Sequence, residues 1–386
     1  MRPILIQCTR ALLDKININK NELKPPSDHE KYPHSLMAWH ANLVSIDRKK
    51  AIILMNNETR YPVVIYRPKP KDFTRISELI REAIKTALHM EGVREDVIEK
   101  YLADAGQIEF SKTAGKSLVA KMNNAVQETE IMMDYLNEKS LIQRYISMVT
   151  SRFIQGSPTE EGFYPIEKML ECLSKYTGND ENGNSEKILD VVLFQLKIRV
   201  NIEGFDIWRR VSVPSTYSFE HLHNVIQTVF DWQNYHLHVF EAKKDGLKDK
   251  LIVMDDDPET LEWVDFDTCD VLQERFTALE DIFPEHEEVE YEYDFGDSWK
   301  HTITLEKVIK SNTFKAIFLE GSGERPPEDV GGSWGYQEYM RIIADETDPE
   351  HEDMKAWAES QKERKQTPEE INDRLRHSLS DYYYIR

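Results

Sequence analysis

The 386-residue sequence predicts an α+β protein: two α+β domains joined by a helical connector and a flexible link. Three observations predict it. Strand-like runs and amphipathic helical segments occur together in both halves, and the length exceeds what one hydrophobic core usually organises. The segment TGNDENGNSEK at 177–187 gathers Gly, Asn and charge without a large apolar side chain, which is the composition of a link. The expected divisions are 1–125 as the first domain, 126–176 as the connector, 177–187 as the link and 188–386 as the second domain.

In the first domain, PILIQC (3–8) reads as a short strand and Arg10 to Ile16 as a helical turn. Between Ser35 and Arg67 the β-rich runs SLMAWHANLVSI, KAIILMN and YPVVIYR are separated by turn-like DRKK and NNETR, a meander. From Asp72 to Met90 the residues Phe73, Ile76, Leu79, Ile80, Ile84 and Leu88 recur at helical spacing, with Asp72 as a cap. A helix near Glu95 to Ala103 follows, and IEFSKT and SLVAKM around AGK read as a hairpin. Asn123 to Phe153 is helical in pattern, unbroken by Gly or Pro, and a shorter helix covers Ile166 to Lys175.

In the second domain, VVLFQLKIRVNI and WRRVSVP read as strands, followed by a helix from Ser218 to Phe230 that Ser218 caps. YHLHVFEA and KLIVM are further strands, and DDDPETLEWVDFD (255–267) is loop-like. EVEYEYDF and WKHTITLEKV alternate with period two around a tight turn, a β-hairpin. Helices close the chain at Tyr336 to Ala344, at Glu352 to Ser360, and after TPEE, where Thr367 caps, Pro368 fits the first turn and Glu370 completes a capping box.

With 40% hydrophobic and 31% charged residues, the composition is that of a soluble globular protein. The apolar run at the start is broken by Gln7 and Arg10, too short for a signal peptide, and no stretch approaches the roughly 18 apolar residues of a membrane helix. Cys8, Cys172 and Cys269 form no CxxC, so neither a disulfide framework nor a cysteine-built zinc site is expected, and a reducing cytoplasm fits best. The net charge of −21 is uneven: residues 1–125 hold 21 Lys+Arg against 15 Asp+Glu, and 126–386 hold 28 against 55. The second part repels phosphate, so any nucleic-acid contact falls to the N-terminal domain.

The densest chemistry lies in YEYDFGDSWKHTITLEKV, 291–308. Tyr291, Tyr293 and Phe295 share one strand face; Trp299, His301, Ile303 and Leu305 share a face of the return strand. The structural reading makes His301 a core residue and the aspartates acceptors for turn amides. The functional reading brings Asp294, Asp297 and His301 together, where two carboxylates about 5 Å apart repel by roughly 3 kcal/mol and call for a cation or a shared proton. A hard divalent cation such as Mg²⁺ or Mn²⁺ answers that need, or an aspartate orients His301 as a general base.

His236 and His238 in YHLH, at i and i+2 of a strand, share a face and could hold one metal or simply face water. GSGERPPEDVGGSWGY, 321–336, reads as a rigid loop capping the next helix, or as a pocket rim that delivers Glu328 or Asp329. The candidate catalytic set is therefore Asp294, Asp297, His301 and Glu328, and the candidate metal set His236, His238, Asp294 and Asp297. DFG here lacks the HRD, glycine-loop and APE companions of a kinase, and GxSxG, HExxH and EF-hand patterns are missing. His40 in WHANL reads as structural and the basic tip at Arg48, Lys49 and Lys50 as a solvated turn.

Three stretches, IWRRVSVPSTYSFEHLHNVIQTVFDWQNYHLHVFEA (207–242), the hairpin at 291–308 and PPEDVGGSWGYQEYMRII (326–343), together resemble the plasmid pRiA4b ORF-3-like family, also labelled transposon passenger TnpR proteins. The resemblance spans residues 188–380 and implies a compact, cytoplasmic α+β domain, often near mobile elements, of no established activity. Its motif positions fall on Trp208, Arg209, Arg210, His223, His236 and His238; on Asp294, Asp297, Trp299 and His301; and on Pro327, Glu328, Asp329, Gly331, Gly332 and Tyr336. Many relatives carry a cysteine before the two prolines, where this chain has Arg325, which puts thiol chemistry in doubt. Residues 4 to 125 resemble a separate bacterial domain family of unknown function.

The leading expectation is a non-enzymatic interaction or adaptor module linked to mobile-element or phage biology, with a protein partner and no membrane. Its rivals are a metal-dependent hydrolase or nuclease using the Asp/His/Glu cluster, and nucleic-acid binding by the N-terminal domain.

Overall fold

The structure, a computed structural model, describes residues 3–16, 18, 22–24, 36–104, 106–113, 115–157, 160–243, 250–254, 269–361 and 367–377. The acidic run at 255–267 lies outside the described residues. The chain divides into two compact units, residues 1–191 with 311–314 and residues 192–310 with 315–386. Residues 126–187 fall in the first unit. No helix among the described residues is long and apolar enough to cross a membrane.

Unit 1 contains β1 (Ile4–Cys8), α1 (Arg10–Leu13), β2 (Ala38–Ile46), β3 (Lys49–Asn56), β4 (Pro62–Tyr66), α2 (Pro70–Thr74), α3 (Ile76–Met90), α4 (Glu95–Asp104) and β5 (Ile108–Lys112). It continues with α5 (Lys116–Ile131), β6 (Ile142–Gln143), α6 (Arg144–Thr150), β7 (Gln155–Ser157), β8 (Glu160–Phe163) and α7 (Pro165–Thr177). The main sheet runs β5-β1-β2-β3-β4-β6. The expected meander is present: β2–β3 and β3–β4 are antiparallel, and Asp47 and Arg48 turn the first hairpin with φ of 44° and 61°, the left-handed pair that a two-residue hairpin demands. Ala51–Asn56 and all of β4 are buried, so both faces of the central strands are covered, which explains their continuous apolar runs. α3 packs on β4 and α6, and α5 on β2 and β3.

Three expectations need correction here. IEFSKT is strand β5, but SLVAKM is no hairpin partner: it opens α5, whose Leu118, Met122, Ala125 and Thr129 make one buried helical face. β5 instead lies parallel to β1, a pairing that local sequence does not announce. The helix expected from Asp72 breaks at Arg75; Asp72 sits inside α2, accepting the Lys69 N–H at 2.7 Å, and α3 begins at Ile76. The helical pattern from Asn123 to Phe153 is interrupted after Ile131, where β6 precedes α6.

Unit 2 contains, apart from the end residues Val191 and Ser311, β9 (Val191–Val200), β10 (Trp208–Pro214), α8 (Phe219–Phe230), β11 (His238–Lys243), β12 (Lys250–Met254), β13 (Cys269–Gln273), β14 (Glu288–Tyr293), β15 (Trp299–Ser311) and β16 (Ile317–Ser322). It ends with α9 (Gly332–Ala344), α10 (His351–Gln361) and α11 (Pro368–His377). The sheet runs β13-β12-β11-β14-β15-β9-β10-β16. β14 and β15 form the expected hairpin, with Tyr293 opposite Trp299 and Tyr291 opposite His301.

Period two puts Val289, Tyr291 and Tyr293 of β14 and Trp299, His301 and Ile303 of β15 inside, with Glu288 and Glu290 exposed. α8 covers this inner face; Phe219 meets Phe240 edge-on at 5.0 Å and Phe230 meets His301 at 5.5 Å. Ser218 caps α8 as expected, its Oγ accepting the His221 N–H while His221 Nδ1 accepts the Ser218 N–H.

Candidate metal centre

Three connections of unit 2 meet: residues 231–237 after α8, residues 294–298 between β14 and β15, and residues 323–331 before α9. Asp294 begins the hairpin turn at φ 60°, a left-handed position that aspartate tolerates better than most side chains. Its Oδ1 accepts the N–H groups of Gly296 at 2.9 Å and Asp297 at 3.3 Å, which closes the turn. Its Oδ2 lies 3.5 Å from His236 Nε2.

The glycine-rich loop docks on that turn. Asp297 Oδ2 accepts the Gly331 N–H at 3.1 Å, and a Cβ on Gly332 would fall 2.2 Å from the Asp297 carbonyl oxygen, so only glycine fits. Glu328 is 1% exposed; it accepts the Tyr293 hydroxyl at 3.0 Å and the Gln233 N–H at 3.2 Å, and burial raises its pKa above the usual carboxylate range. Asp329, at φ 58°, accepts the Tyr235 hydroxyl at 2.9 Å on Oδ2 and leaves Oδ1 3.4 Å from His236 Nε2. Left-handed aspartates at both sites are a local strain of the kind that collects at functional positions.

The loop carrying His236 is also held from the hairpin and from α8. Trp232 stacks on Tyr293 with ring centroids 5.0 Å apart, and the Asn234 N–H donates to Gln227 of α8 at 3.1 Å. As a result one ligand atom each from His236, Asp294 and Asp329 lies within 4.8 Å of the others. His236 Nε2 is shielded from solvent and has no hydrogen-bond partner among the described residues, while the Asp329 side chain is 55% exposed and opens the group to water. Two carboxylates at that spacing repel by about 3 kcal/mol at an effective dielectric of 20. Each aspartate engages one oxygen in the protein and turns the other inward, which suits monodentate binding of a cation with positions left open for water or substrate.

The metal set expected from the sequence is thus only half assembled. β11 begins at His238, so His236 precedes the strand and the shared-face argument fails. His238 turns inward, where its Nε2 meets Glu274 Oε2 at 2.8 Å and its ring stacks on His223 at 3.5 Å. His223 Nδ1 in turn meets the Tyr291 hydroxyl at 2.8 Å, and burial, then the neighbouring His238, pushes its pKa well down. Asp297 is engaged with Gly331 rather than with His236.

His301 is 0% exposed among Phe230, Trp232 and Tyr291, and burial lowers its pKa to about 4. It therefore belongs to the aromatic core and does not converge with Asp294 and Asp297, as its row with Trp299 and Ile303 allowed. Asp329, a rim residue that the expected catalytic set left out in favour of Glu328, takes the place in the cluster, and Tyr235 and Gln233 are supporting residues that no motif position singled out.

The geometry can be set beside known proteins. Residues 192–373 match the model of the plasmid pRiA4b ORF-3-like protein family. An uncharacterised protein, y4hQ, of Sinorhizobium fredii (strain NBRC 101917 / NGR234) is 32% identical over 170 residues, which cover 43% of this chain and 81% of that one. The chain belongs to the plasmid pRiA4b ORF-3-like family. Residues 5–168 match a second model, a domain of unknown function, DUF6933. A solved protein of unknown function, MM3350 from Methanosarcina mazei Go1, is 35% identical over 43% of this chain and 89% of its own, with a TM-score of 0.37. All three cluster residues of this family member lie inside the segment matched to the pRiA4b ORF-3-like model.

Proposed function

We propose that unit 2 binds one divalent cation through His236, Asp294 and Asp329 and acts as a metal-dependent hydrolase. The observation that carries this reading is the convergence of three ligand atoms within 4.8 Å from three separate loops, beside a solvent-open carboxylate. One imidazole with two carboxylates suits Mn²⁺, Fe²⁺ or Zn²⁺ better than a thiophilic ion. A bound cation supplies Lewis acidity there; the chain's own residues hold it, with Tyr235 fixing Asp329 and the turn amides fixing Asp294.

Titrating Mn²⁺ into the full chain and counting bound ions by native mass spectrometry tests the site. One ion per chain is expected, with affinity lowered at least about 100-fold in Asp294→Asn or Asp329→Asn and unchanged in the exposed Asp353→Ala. Absence of stoichiometric Mn²⁺, Zn²⁺ or Fe²⁺ removes the reading. Mn²⁺-dependent cleavage of bis(p-nitrophenyl) phosphate, lost in His236→Ala, tests the hydrolase step.

A second reading is an interaction module in mobile-element biology, prompted by the plasmid in the family's description. Its physical support is a pair of exposed aromatics in the meeting loops and at the start of α9, Tyr235 at 50% and Trp334 at 77% exposure. Trp334→Ala should abolish recovery of a partner while leaving Mn²⁺ stoichiometry intact. Nucleic-acid binding through residues 1–125 rests only on their excess of 21 basic over 15 acidic residues, and duplex binding that ignores salt would remove it.

A further inference from the structure

We infer that Glu328 is the positioning residue that assembles the cation site, an inference that rests on the cation reading above. Glu328 precedes the ligand Asp329 in the chain, and its carboxylate reaches both other ligand-bearing segments. The Tyr293 hydroxyl donates to Oε1 at 3.0 Å, and Tyr293 precedes the ligand Asp294. The Gln233 N–H donates to both oxygens at 3.2 Å, and Gln233 stands three residues before the ligand His236. One buried carboxylate therefore ties together the three backbone segments from which the three ligands project.

Glu328 acts through its neighbours. At 1% exposure it has no access to a substrate, and it is absent from the group of converging ligand atoms. Its place between the three segments also explains why a buried acid is kept here: an apolar side chain of the same length would leave the Tyr293 hydroxyl and the Gln233 amide without their acceptor. The Asp297 to Gly331 bond holds the far end of the same loop, so Asp329 is pinned from both sides.

The test measures Mn²⁺ affinity of the full-length wild type, Glu328→Gln, Glu328→Leu, Tyr293→Phe and the double variant Glu328→Leu/Tyr293→Phe, well below their melting temperatures. Expected is a roughly 10-fold loss in Tyr293→Phe and up to roughly 100-fold in Glu328→Leu, with Glu328→Gln, which keeps an acceptor oxygen, recovering part of it. The double variant should be no weaker than Glu328→Leu alone, because both changes break one contact. Faster hydrogen exchange at the amides of Asp329 to Gly331 in metal-free Tyr293→Phe is expected as well, and this variant serves if Glu328→Leu does not fold. A wild type that takes up no ion sinks the cation reading itself. A wild type that binds Mn²⁺ while Tyr293→Phe and Glu328→Gln bind it equally well, with unchanged loop exchange, overturns the positioning role alone.

Discussion

Each unit gathers charged side chains from distant parts of its chain, and the two gatherings differ in kind. In unit 1 the 1%-exposed Glu91 side chain meets Arg152 twice, at 3.0 and 2.7 Å, and also accepts the hydroxyls of Ser151 at 3.2 Å and Tyr61 at 3.3 Å. Charge is balanced and the carboxylate oxygens are engaged. In unit 2 two aspartates face one imidazole, whose Nε2 lies 3.5 and 3.4 Å from their oxygens and has no hydrogen-bond partner among the described residues. The first arrangement is complete by itself and holds a fold together. The second is the group that the cation proposal would complete.

That contrast can be broken by mutation and by pH. The largest effect belongs to Glu91→Ala, which takes the carboxylate partner from the largely covered Arg152 guanidinium and should cost about 3 kcal/mol in urea unfolding. A cost below about 1 kcal/mol would show that the unit 1 pair is no more committed than a surface contact. Next comes His301, whose pKa burial lowers to about 4 from an ordinary 6.5. The unfolded chain takes up this proton first as pH falls, so unit 2 should lose about 3 kcal/mol between pH 6.5 and 4 and be unaffected above that window. Hydrogen exchange of β15 amides reads this directly, and a flat profile would contradict a buried neutral imidazole.

Glu128 in α5 of unit 1 predicts the opposite sign. Burial, only partly offset by the Gln155 side chain, raises its pKa to about 7 from 4.5. The folded state holds this proton longer, so stability should fall as pH rises from 4.5 to 7, by about 2 kcal/mol after solvent screening. Glu128→Gln should remove that slope from α5 exchange and leave the β15 profile unchanged. The smallest effect is Asp329→Asn without any cation: at 55% exposure and with a like charge as neighbour, it should change stability by less than about 0.5 kcal/mol. A large loss would make Asp329 a structural residue and erase the contrast with Glu91.

How much of this the sequence announced follows from how local each feature is. The β14–β15 hairpin and the Ser218 cap were legible because strand parity and a capping box are properties of adjacent residues. The same parity already placed His301 beside Trp299 and Ile303, the inward row in which it lies. Ser117–Met122 is short enough to fit either period, and only its burial within α5 decides for the helix. The convergence of the YH, DFGD and PPEDVGG segments was legible as three motifs but not as a geometry. The turn of Asp329 rather than Glu328 to the cluster goes with a φ of 58° at Asp329, and His236 lies ahead of β11, two residues after a left-handed Asn234 at φ 56°. Those are outcomes of loop packing, which no spacing rule encodes.

The most direct test of the account is anomalous diffraction from crystals of the full chain grown with Mn²⁺. The account predicts one strong manganese peak within coordination distance of His236 Nε2, Asp294 Oδ2 and Asp329 Oδ1, absent in crystals of Asp329→Asn. A map with no peak there at saturating Mn²⁺, or with Asp294 and Asp329 turned apart, would contradict it.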